Sequence, residues 1–420
     1  MTAPNPIANS SEHQSPDDRS TTDLASEPAP HSSPVPTRDA PSAAARESSS
    51  VPRSGLVGSA ARAERLEPVM SPRQWLSWAI ALVVGAVLIP ILNSLPADSA
   101  LHLPDYLVTL FGKFCCYATV ALAMDLLWGY TGILSLGHGV FFALGGYAMG
   151  MCLMLGIGAA GVYRSNLPDF MVFLDWKELP WFWRPFDNFW FAMFAALAAP
   201  GLLAYAFGFF AFRSRIRGVY FSIITQALTF AMMLLFFRNE TGLGGNNGLT
   251  DFKQIYGYPL QKGSTKLALY MLSCASVFVT FAICRFVTTS KAGRVLRSIR
   301  DEENRVMFLG YDPTRFKLFA YTLSAVLCGL AGALYVPQVG IINPGELQPS
   351  NSIEMAIWVA VGGRGSLLGA PLGAFVVNGA KSIFTSLMPE AWLYMLGLLF
   401  VSVTLFFPQG LLGVLSRLKK

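Results

Sequence analysis

Four polar side chains recur at helical spacing within an apolar run near the middle of the chain. They are Ser222, Thr225, Gln226 and Thr229, at positions i, i+3, i+4 and i+7, so a helix would carry all four on one face. In an apolar solvent such a row must turn towards other protein or towards a water-filled space. The row therefore either bonds neighbouring helices together or lines a path for a small polar solute.

Two glycine-rich segments interrupt apolar runs in the two halves of the chain. The first is Gly129-Tyr-Thr-Gly132, and the second follows a short apolar stretch at 352–362. Irregular backbone persists inside a membrane only where protein or a water-filled cavity satisfies its polar groups, so paired breaks indicate a transport pathway. His138, just beyond the first break, either bonds to the broken backbone or contacts a solute. The glycines assigned to the breaks are Gly129, Gly132, Gly362, Gly363 and Gly365.

The stretch from Ser290 to Lys317 is too polar to span a membrane and too long for a tight turn. Apolar residues recur in it at helical spacing with charged residues on the other side, and Gly310 and Pro313 end the pattern. This arrangement predicts a short amphipathic helix along the membrane surface. The helix either docks on a cytoplasmic ATPase, whose movement it transmits, or belongs to a solvated loop attracted to anionic lipid. The residues assigned to docking are Arg294, Val295, Arg297, Ile299, Arg300, Asp301 and Gly310.

Four further charged residues lie within or beside the apolar runs. Asp125, close to the first break, is predicted to cap or anchor the broken segment by hydrogen bonds. Glu354 opens the short stretch at 352–362, where the helix dipole favours a negative charge. Arg364 and Lys381 are expected to face the cytoplasm or to extend towards it.

The composition indicates that a membrane surrounds these elements. Of the 420 residues, 53% are hydrophobic and 13% are charged, whereas soluble domains carry about 25% charged residues. Apolar runs of roughly twenty residues begin at Trp75, and each is long enough to cross the hydrocarbon core as a helix. We therefore predict an all-α polytopic membrane protein with eight to ten transmembrane helices and glycine-broken segments. The runs lie near 75–95, 106–128, 133–155, 189–212, 218–237, 266–287, 316–337, 366–387 and 391–408, and a shorter one near 352–362 is predicted to be too short to span unaided.

The basic residues predict the orientation of these helices. Lysine and arginine cluster before the first run, between the fourth and fifth, between the sixth and seventh, and at the carboxyl end. Since short basic loops stay on the cytoplasmic side, both termini are predicted to be cytoplasmic, with a cytoplasmic coupling loop at 288–317. Residues 1–70 are rich in Ser, Pro and Ala and are predicted to form a disordered cytoplasmic tail. Residues 71–420 are predicted to form the transmembrane domain.

The chain lacks the sequence patterns of several other classes of protein. Its six cysteines and four histidines show no metal-ligand spacing, and no phosphate-binding loop of the form G-x-x-x-x-G-K-[ST] occurs. We find no convergent catalytic set, and the basic clusters are spread over several loops rather than gathered on one nucleic-acid-binding face. We therefore predict neither an enzyme nor a metal site. An ion-coupled transporter is the alternative class, although it usually needs carboxylates near the membrane midplane.

Four blocks carry a family resemblance. They are Lys291-Ala-Gly-Arg-Val-Leu-Arg-Ser-Ile-Arg-Asp-Glu, Gly129-Tyr-Thr-Gly-Ile-Leu-Ser-Leu-Gly-His-Gly, Leu323-Ser-Ala-Val-Leu-Cys-Gly-Leu-Ala-Gly-Ala-Leu and Val361-Gly-Gly-Arg-Gly-Ser-Leu-Leu-Gly-Ala. With them the chain resembles, over roughly 71–415, the permeases of ATP-driven importers in the branched-chain amino acid (LivM-type) superfamily. The resemblance implies a multi-pass permease in a bacterial plasma (inner) membrane. It also implies a homologous second permease, two cytoplasmic ATPases that hydrolyse ATP, and an extracytoplasmic substrate-binding protein, with no cofactor in this chain.

Four other blocks narrow the resemblance. They are Arg217-Gly-Val-Tyr-Phe-Ser-Ile-Ile-Thr-Gln, Phe237-Arg-Asn-Glu-Thr-Gly-Leu-Gly-Gly-Asn-Asn-Gly, Tyr335-Val-Pro-Gln-Val-Gly-Ile-Ile-Asn-Pro and Ala356-Ile-Trp-Val-Ala. In these blocks the chain is most similar to the C-type permeases of urea importers, which implies transport of urea or short amides. A branched-chain amino acid is the alternative solute. Urea is planar and neutral, so the hydroxyl and amide groups of the row at 222–229 would suit its path.

Overall fold

The computed structural model describes residues 72–96, 98–99, 101–216, 218–388, 391–406, 410, 411 and 413. The predicted tail at 1–70 and Arg217 lie outside the described residues. Within them the fold is all-α, with four strands of two residues each. The helices are α1 (Pro72–Ser94), α2 (Asp105–Thr131), α3 (His138–Leu155), α4 (Asp169–Phe173), α5 (Phe189–Arg213), α6 (Val219–Phe237), α7 (Gly263–Thr289), α8 (Lys291–Phe308), α9 (Pro313–Val339), α10 (Pro349–Gly362), α11 (Gly369–Leu387) and α12 (Trp392–Phe406). The strands are β1 (Leu249–Thr250), β2 (Gln254–Ile255), β3 (Tyr258–Pro259) and β4 (Ile341–Ile342).

Among the described helices, six are long and apolar enough to cross a membrane. They are α2, α3, α5, α6, α7 and α9. Helix α10 has 14 residues, a length of about 21 Å, whereas the hydrocarbon core is about 30 Å thick. It therefore does not cross alone, as predicted for this stretch, although it begins at Pro349 rather than at 352. The total of eight to ten spans and the cytoplasmic position of both termini remain predictions.

Helix α9 lies at the centre of the bundle and packs on α2, α3 and α5. Small residues allow the close approach. A Cβ atom on Gly332 would collide with the carbonyl oxygen of Phe142 in α3, and one on Gly329 would collide with the carbonyl oxygen of Ala196 in α5. Such contacts let helices associate in lipid through van der Waals packing, where no hydrophobic force draws them together.

Candidate functional site

The polar row on α6 holds a non-helical segment between α2 and α3, residues 132–137, here called the strap. The Ser222 hydroxyl donates to the carbonyl oxygen of Leu134 (2.7 Å), and the backbone N–H of Leu136 donates to the Thr225 hydroxyl (3.0 Å). Both side chains are buried. The row thus satisfies backbone groups that lipid could not.

The remaining predicted polar residues near the strap differ in their contacts. Thr229 is buried and donates a third hydrogen bond, to a strap carbonyl (3.1 Å). Gln226 is half-buried and makes no hydrogen bond to the strap. The ring of His138 is fully buried, with Nε2 2.8 Å from the Ser324 hydroxyl and Nδ1 3.3 Å from the Ser135 carbonyl oxygen. His138 therefore binds the end of the strap to α9.

Replacing Thr225 with valine is expected to destabilise the protein. The change removes the acceptor for the half-buried Leu136 N–H and leaves this donor without its partner, at a cost of about 1–3 kcal/mol. We expect a lower midpoint in a heat-denaturation assay of the detergent-solubilised protein. Ile223→Val, on the exposed face of the same helix, is the matched control and should leave the midpoint nearly unchanged. Equal midpoints for the two variants would show that the strap does not depend on this bond.

The two glycine-rich breaks meet at the end of the bundle that carries α8. The backbone N–H of Gly365, after α10, donates to Asp125 Oδ1 in α2 (2.7 Å). One turn along α2, Gly129 packs on the same backbone, since a Cβ there would lie 2.6 Å from the Gly365 nitrogen. Asp125 is fully buried. It is the hydrogen-bond anchor predicted, but it anchors the second break rather than the first.

The predicted break at Gly129 needs a correction. Helix α2 runs through Gly129 to Thr131. A glycine is needed at position 129 because the loop after α10 packs directly against its backbone. The first break begins at Gly132, whose φ of +79° ends α2 in the left-handed region that favours glycine. At the second break Gly362 is the last residue of α10, and Gly363 and Gly365 both have positive φ.

Helix α8 reaches these breaks through one arginine. Arg300 Nη1 donates to the carbonyl oxygen of Gly129 (2.8 Å), and its Nε pairs with Asp301 (3.0 Å). From the loop after α10, Arg364 Nε donates to the carbonyl oxygen of Trp128 (3.2 Å), with its guanidinium 5.0 Å from the indole centroid. The ends of α2 and α10 are thereby tied to α8. We call this set the junction: Asp125, Trp128, Gly129, Arg300, Arg364 and Gly365.

The predicted amphipathic helix is present as α8, but several residues assigned to docking face the bundle. Ile299 is only 4% exposed, Val295 is half-buried, and Arg297 donates to carbonyl oxygens of its own chain segment (3.4 and 3.2 Å). This face packs on α2, α7 and α9. Arg294 and Asp301 are exposed, as is Gly310, which follows the end of the helix with a φ of +83°.

An exposed apolar tip at 307–311, which the sequence did not predict, follows the charged part of α8. Backbone angles at Glu302 depart from helical values (φ −158°, ψ 90°) and turn the end of α8 away from its first part. Beyond this kink Phe308 is 90% exposed and Leu309 is 71% exposed, and Met307 and Tyr311 are exposed as well. The sequence feature that could have indicated this tip is the apolar run inside an otherwise charged stretch. An exposed apolar tip of this kind indicates a contact with another protein or with the membrane.

Glu354 and Lys381 form an ion pair between α10 and α11. Lys381 Nζ lies 2.7 and 3.0 Å from the two carboxylate oxygens. Glu354 therefore lies in the second turn of α10 rather than at its start, and it is bound to a lysine. Contrary to the expectation that Lys381 extends towards the cytoplasm, its ammonium binds Glu354. In the described ranges no group of three or more His, Cys, Asp or Glu side chains has the arrangement to hold a metal ion.

Three of the blocks that narrow the family resemblance contact one another in pairs. The loop 237–251 ends in β1, which pairs antiparallel with β4, so that Leu249 lies opposite Ile342. In α9, the ring of Tyr335 lies 5.7 Å from that of Tyr117 in α2. The ring of Trp358, from the block in α10, lies 4.8 Å from that of Tyr117 at an angle of 35°. The block at 335–344 therefore contacts the loop 237–251 through β4, and it approaches the block in α10 at Tyr117.

Comparison with known proteins gives a consistent family. The model for "Branched-chain amino acid transport system / permease component" matches residues 106–404. The high-affinity branched-chain amino acid transport permease LivM of Salmonella typhimurium is 25% identical over 318 residues, covering 70% of this chain and 67% of LivM. BraD, a permease of the same kind of system in Pseudomonas aeruginosa, is 23% identical over 307 residues, covering 71% of this chain and 91% of BraD. The autoinducer 2 import permease LsrC of Yersinia pseudotuberculosis is 27% identical over 172 residues, covering 38% of this chain and 48% of LsrC. No solved structure gives a significant match.

Proposed function

The chain belongs to the permease-component family of branched-chain amino acid transport systems, and we propose that it is the membrane-spanning subunit of an ATP-driven importer of urea or a short amide. The junction is the observation that supports the transport mechanism most strongly. One arginine of α8 contacts the end of α2, where the loop after α10 is also anchored. A displacement of α8 would therefore move both glycine-rich breaks together.

The proposed source of that displacement is a cytoplasmic ATPase subunit. The tip at 307–311 presents Phe308 and Leu309 to solvent. These two apolar side chains would insert into a cleft on the partner. Burial of a side chain of this size contributes about 1.5–3 kcal/mol. Arg294 and Arg305 stand exposed on α8 and can pair with acidic groups at the rim of the cleft. ATP-driven closure of the ATPases would then pull on α8.

The proposed transport cycle is alternating access without chemistry in this chain. The strap and the loop after α10 are non-helical segments. Hydrogen bonds to Thr225 and to Asp125 hold them in place. Discontinuous helices of this kind line substrate sites in transporters. A homologous second permease would complete the path, and a substrate-binding protein would deliver the solute at the end opposite α8.

Urea or a short amide is the proposed solute because of the blocks that narrow the resemblance. Two of those blocks meet at the β1–β4 pair, and the blocks in α9 and α10 meet at Tyr117 in α2. The relatives favour a second candidate, since LivM and BraD are named for branched-chain amino acid transport. LsrC is named for import of a different solute, so family membership alone does not decide between the two.

Uptake of radiolabelled urea at micromolar concentration, in source cells with and without this chain, tests the proposed solute. We expect uptake to be lost on deletion, and uptake by the parent cells to be inhibited by unlabelled acetamide but not by leucine. Loss of leucine uptake with unchanged urea uptake would assign the chain to the amino acid branch. If neither uptake changed, both candidate solutes would be wrong.

A further inference from the structure

Two charged residues that the sequence did not single out, Lys113 and Glu346, lie near the Glu354–Lys381 ion pair. Lys113, within the candidate span α2, has its ammonium 5.6 Å from the ring centroid of Tyr117 and 5.8 Å from that of Tyr335. The Tyr335 hydroxyl donates to Glu346 Oε1 (3.0 Å). We call the following six residues the charge cluster: Lys113, Tyr117, Tyr335, Glu346, Glu354 and Lys381.

The charge cluster is electrically balanced. It holds two ammonium groups and two carboxylates, and Lys113 interacts electrostatically with Glu346, Glu354 and Lys381. Each carboxylate already has a partner, the Tyr335 hydroxyl for Glu346 and the Lys381 ammonium for Glu354. A solute that enters beside these groups therefore meets donors and acceptors but no isolated charge. Neutral, strongly dipolar molecules fit such surroundings better than ions do.

The cluster is also partly open at the surface of the chain. Lys113, Tyr117 and Glu346 are half-buried, and the Lys381 side chain is 38% exposed. Charged groups at membrane depth do not face lipid but face the interior of an assembly or a water-filled cavity. The face of α2 and α11 that carries the cluster must therefore be covered by another protein or lie along a path for water and solute.

Two further features identify the kind of solute. The rings of Tyr117 and Trp358 lie 4.8 Å apart at 35°, and Tyr335 adds a third aromatic surface. The indole N–H of Trp358 is buried with no hydrogen-bond partner in the described part of the chain. A buried donor without a partner is costly and calls for an acceptor. Aromatic faces, a spare N–H donor and carboxylate acceptors together match a flat molecule with one carbonyl and several N–H groups.

We propose that the charge cluster is the position in the translocation path where a planar amide is held, on a face completed by the second permease subunit. The inference depends on the proposed function, because it assumes an amide importer. Carboxylates of Glu346 and Glu354 would accept the N–H groups of the solute, and the Lys113 ammonium would donate to its carbonyl oxygen. The tyrosine faces would stack on its plane.

The test is labelling of a cysteine introduced at Thr109 in the assembled complex. Thr109 is half-buried and lies one turn from Lys113 on the same face of α2. A membrane-impermeant thiol reagent should label Thr109→Cys, and tens of millimolar urea should slow labelling at least threefold. Val84→Cys lies on an exposed apolar face of α1 that we expect to contact lipid, so it is the control that should not be labelled. The unmodified chain corrects for its six native cysteines.

Two variants test the role of the cluster itself. In the Thr109→Cys background, Glu346→Gln should abolish protection by urea, as should Tyr335→Phe, which removes only the hydroxyl that binds Glu346. Protection that persists in both variants would overturn the proposal, and so would a cysteine that the reagent never reaches. Protection by leucine but not urea would overturn the amide assignment. A wild-type complex that imports no urea would refute the proposed function instead, which separates the two failures.

Discussion

Replacing Phe308 and Leu309 with aspartate is expected to lower transport at least ~100-fold, because the variant would bind the ATPase more weakly. Each tenfold loss of affinity corresponds to about 1.4 kcal/mol. Both side chains are largely exposed in the single chain, and their burial in a partner would contribute about 1.5–3 kcal/mol each. Aspartate removes that contribution and adds charge to an apolar contact. We expect the variant to insert in the membrane normally but to lose the ATPase subunits on affinity purification.

A matched control lies at the other end of the bundle. Phe173, in α4, is 71% exposed, and Phe173→Asp should retain the ATPase subunits. If both variants retained them, the tip at 307–311 would not be the docking element. If both lost them, the effect of aspartate would be general misfolding.

Replacing Gly129 with alanine is expected to lower transport at least ~10-fold. The added Cβ would collide with Asp125 Oδ1 and lie 2.6 and 2.7 Å from the backbone nitrogen and Cα of Gly365. Neither backbone can move freely, because the Gly365 N–H is bound by Asp125 and the Gly129 carbonyl by Arg300. Overpacking of this kind costs about 1–3 kcal/mol, and it separates the two breaks that the mechanism moves together. Urea uptake by the purified complex, normalised to inserted protein, measures the effect.

Gly379→Ala provides the comparison for the same chemical change. Gly379 lies inside α11 with no atom near the position of an added Cβ, and alanine favours a helix interior by about 1 kcal/mol over glycine. This variant should therefore transport normally and be at least as stable as the parent. A Gly129→Ala variant that behaved like Gly379→Ala would show that transport continues when α2 and the loop after α10 are moved apart at the junction.

The sequence predicted features that depend on local pattern. Each apolar run contains a helix, because length and uniform apolarity are properties of one contiguous segment. The run at 133–155 starts before its helix, since residues 133–137 belong to the non-helical strap and α3 begins at His138. The face formed by Ser222, Thr225 and Thr229 follows from helical spacing alone, and the helix at 291–308 follows from its amphipathic period. The breaks were found from glycine, although the first begins at Gly132 rather than at Gly129.

The features that the sequence did not predict depend on which segments meet. Thr225 bonds to a residue 89 positions away, and Asp125 to one 240 positions away, so no local window contains both partners. Lys113 and Glu346 are single charges in different segments, and only the packing of α2 against the end of α9 turns them into one cluster. The sequence did not predict that Phe308 is exposed, because an apolar side chain by itself favours burial.

The most direct test of the central claim is urea accumulation in proteoliposomes that contain this chain, the second permease, the ATPase pair and the binding protein. We expect radiolabelled urea to accumulate when ATP is supplied on the ATPase side, and we expect none with a proton or sodium gradient in the absence of ATP. The Phe308→Asp, Leu309→Asp double variant should abolish accumulation with ATP. Accumulation driven by an ion gradient in the absence of ATP would show that the importer is not ATP-driven and that the chain is a secondary transporter.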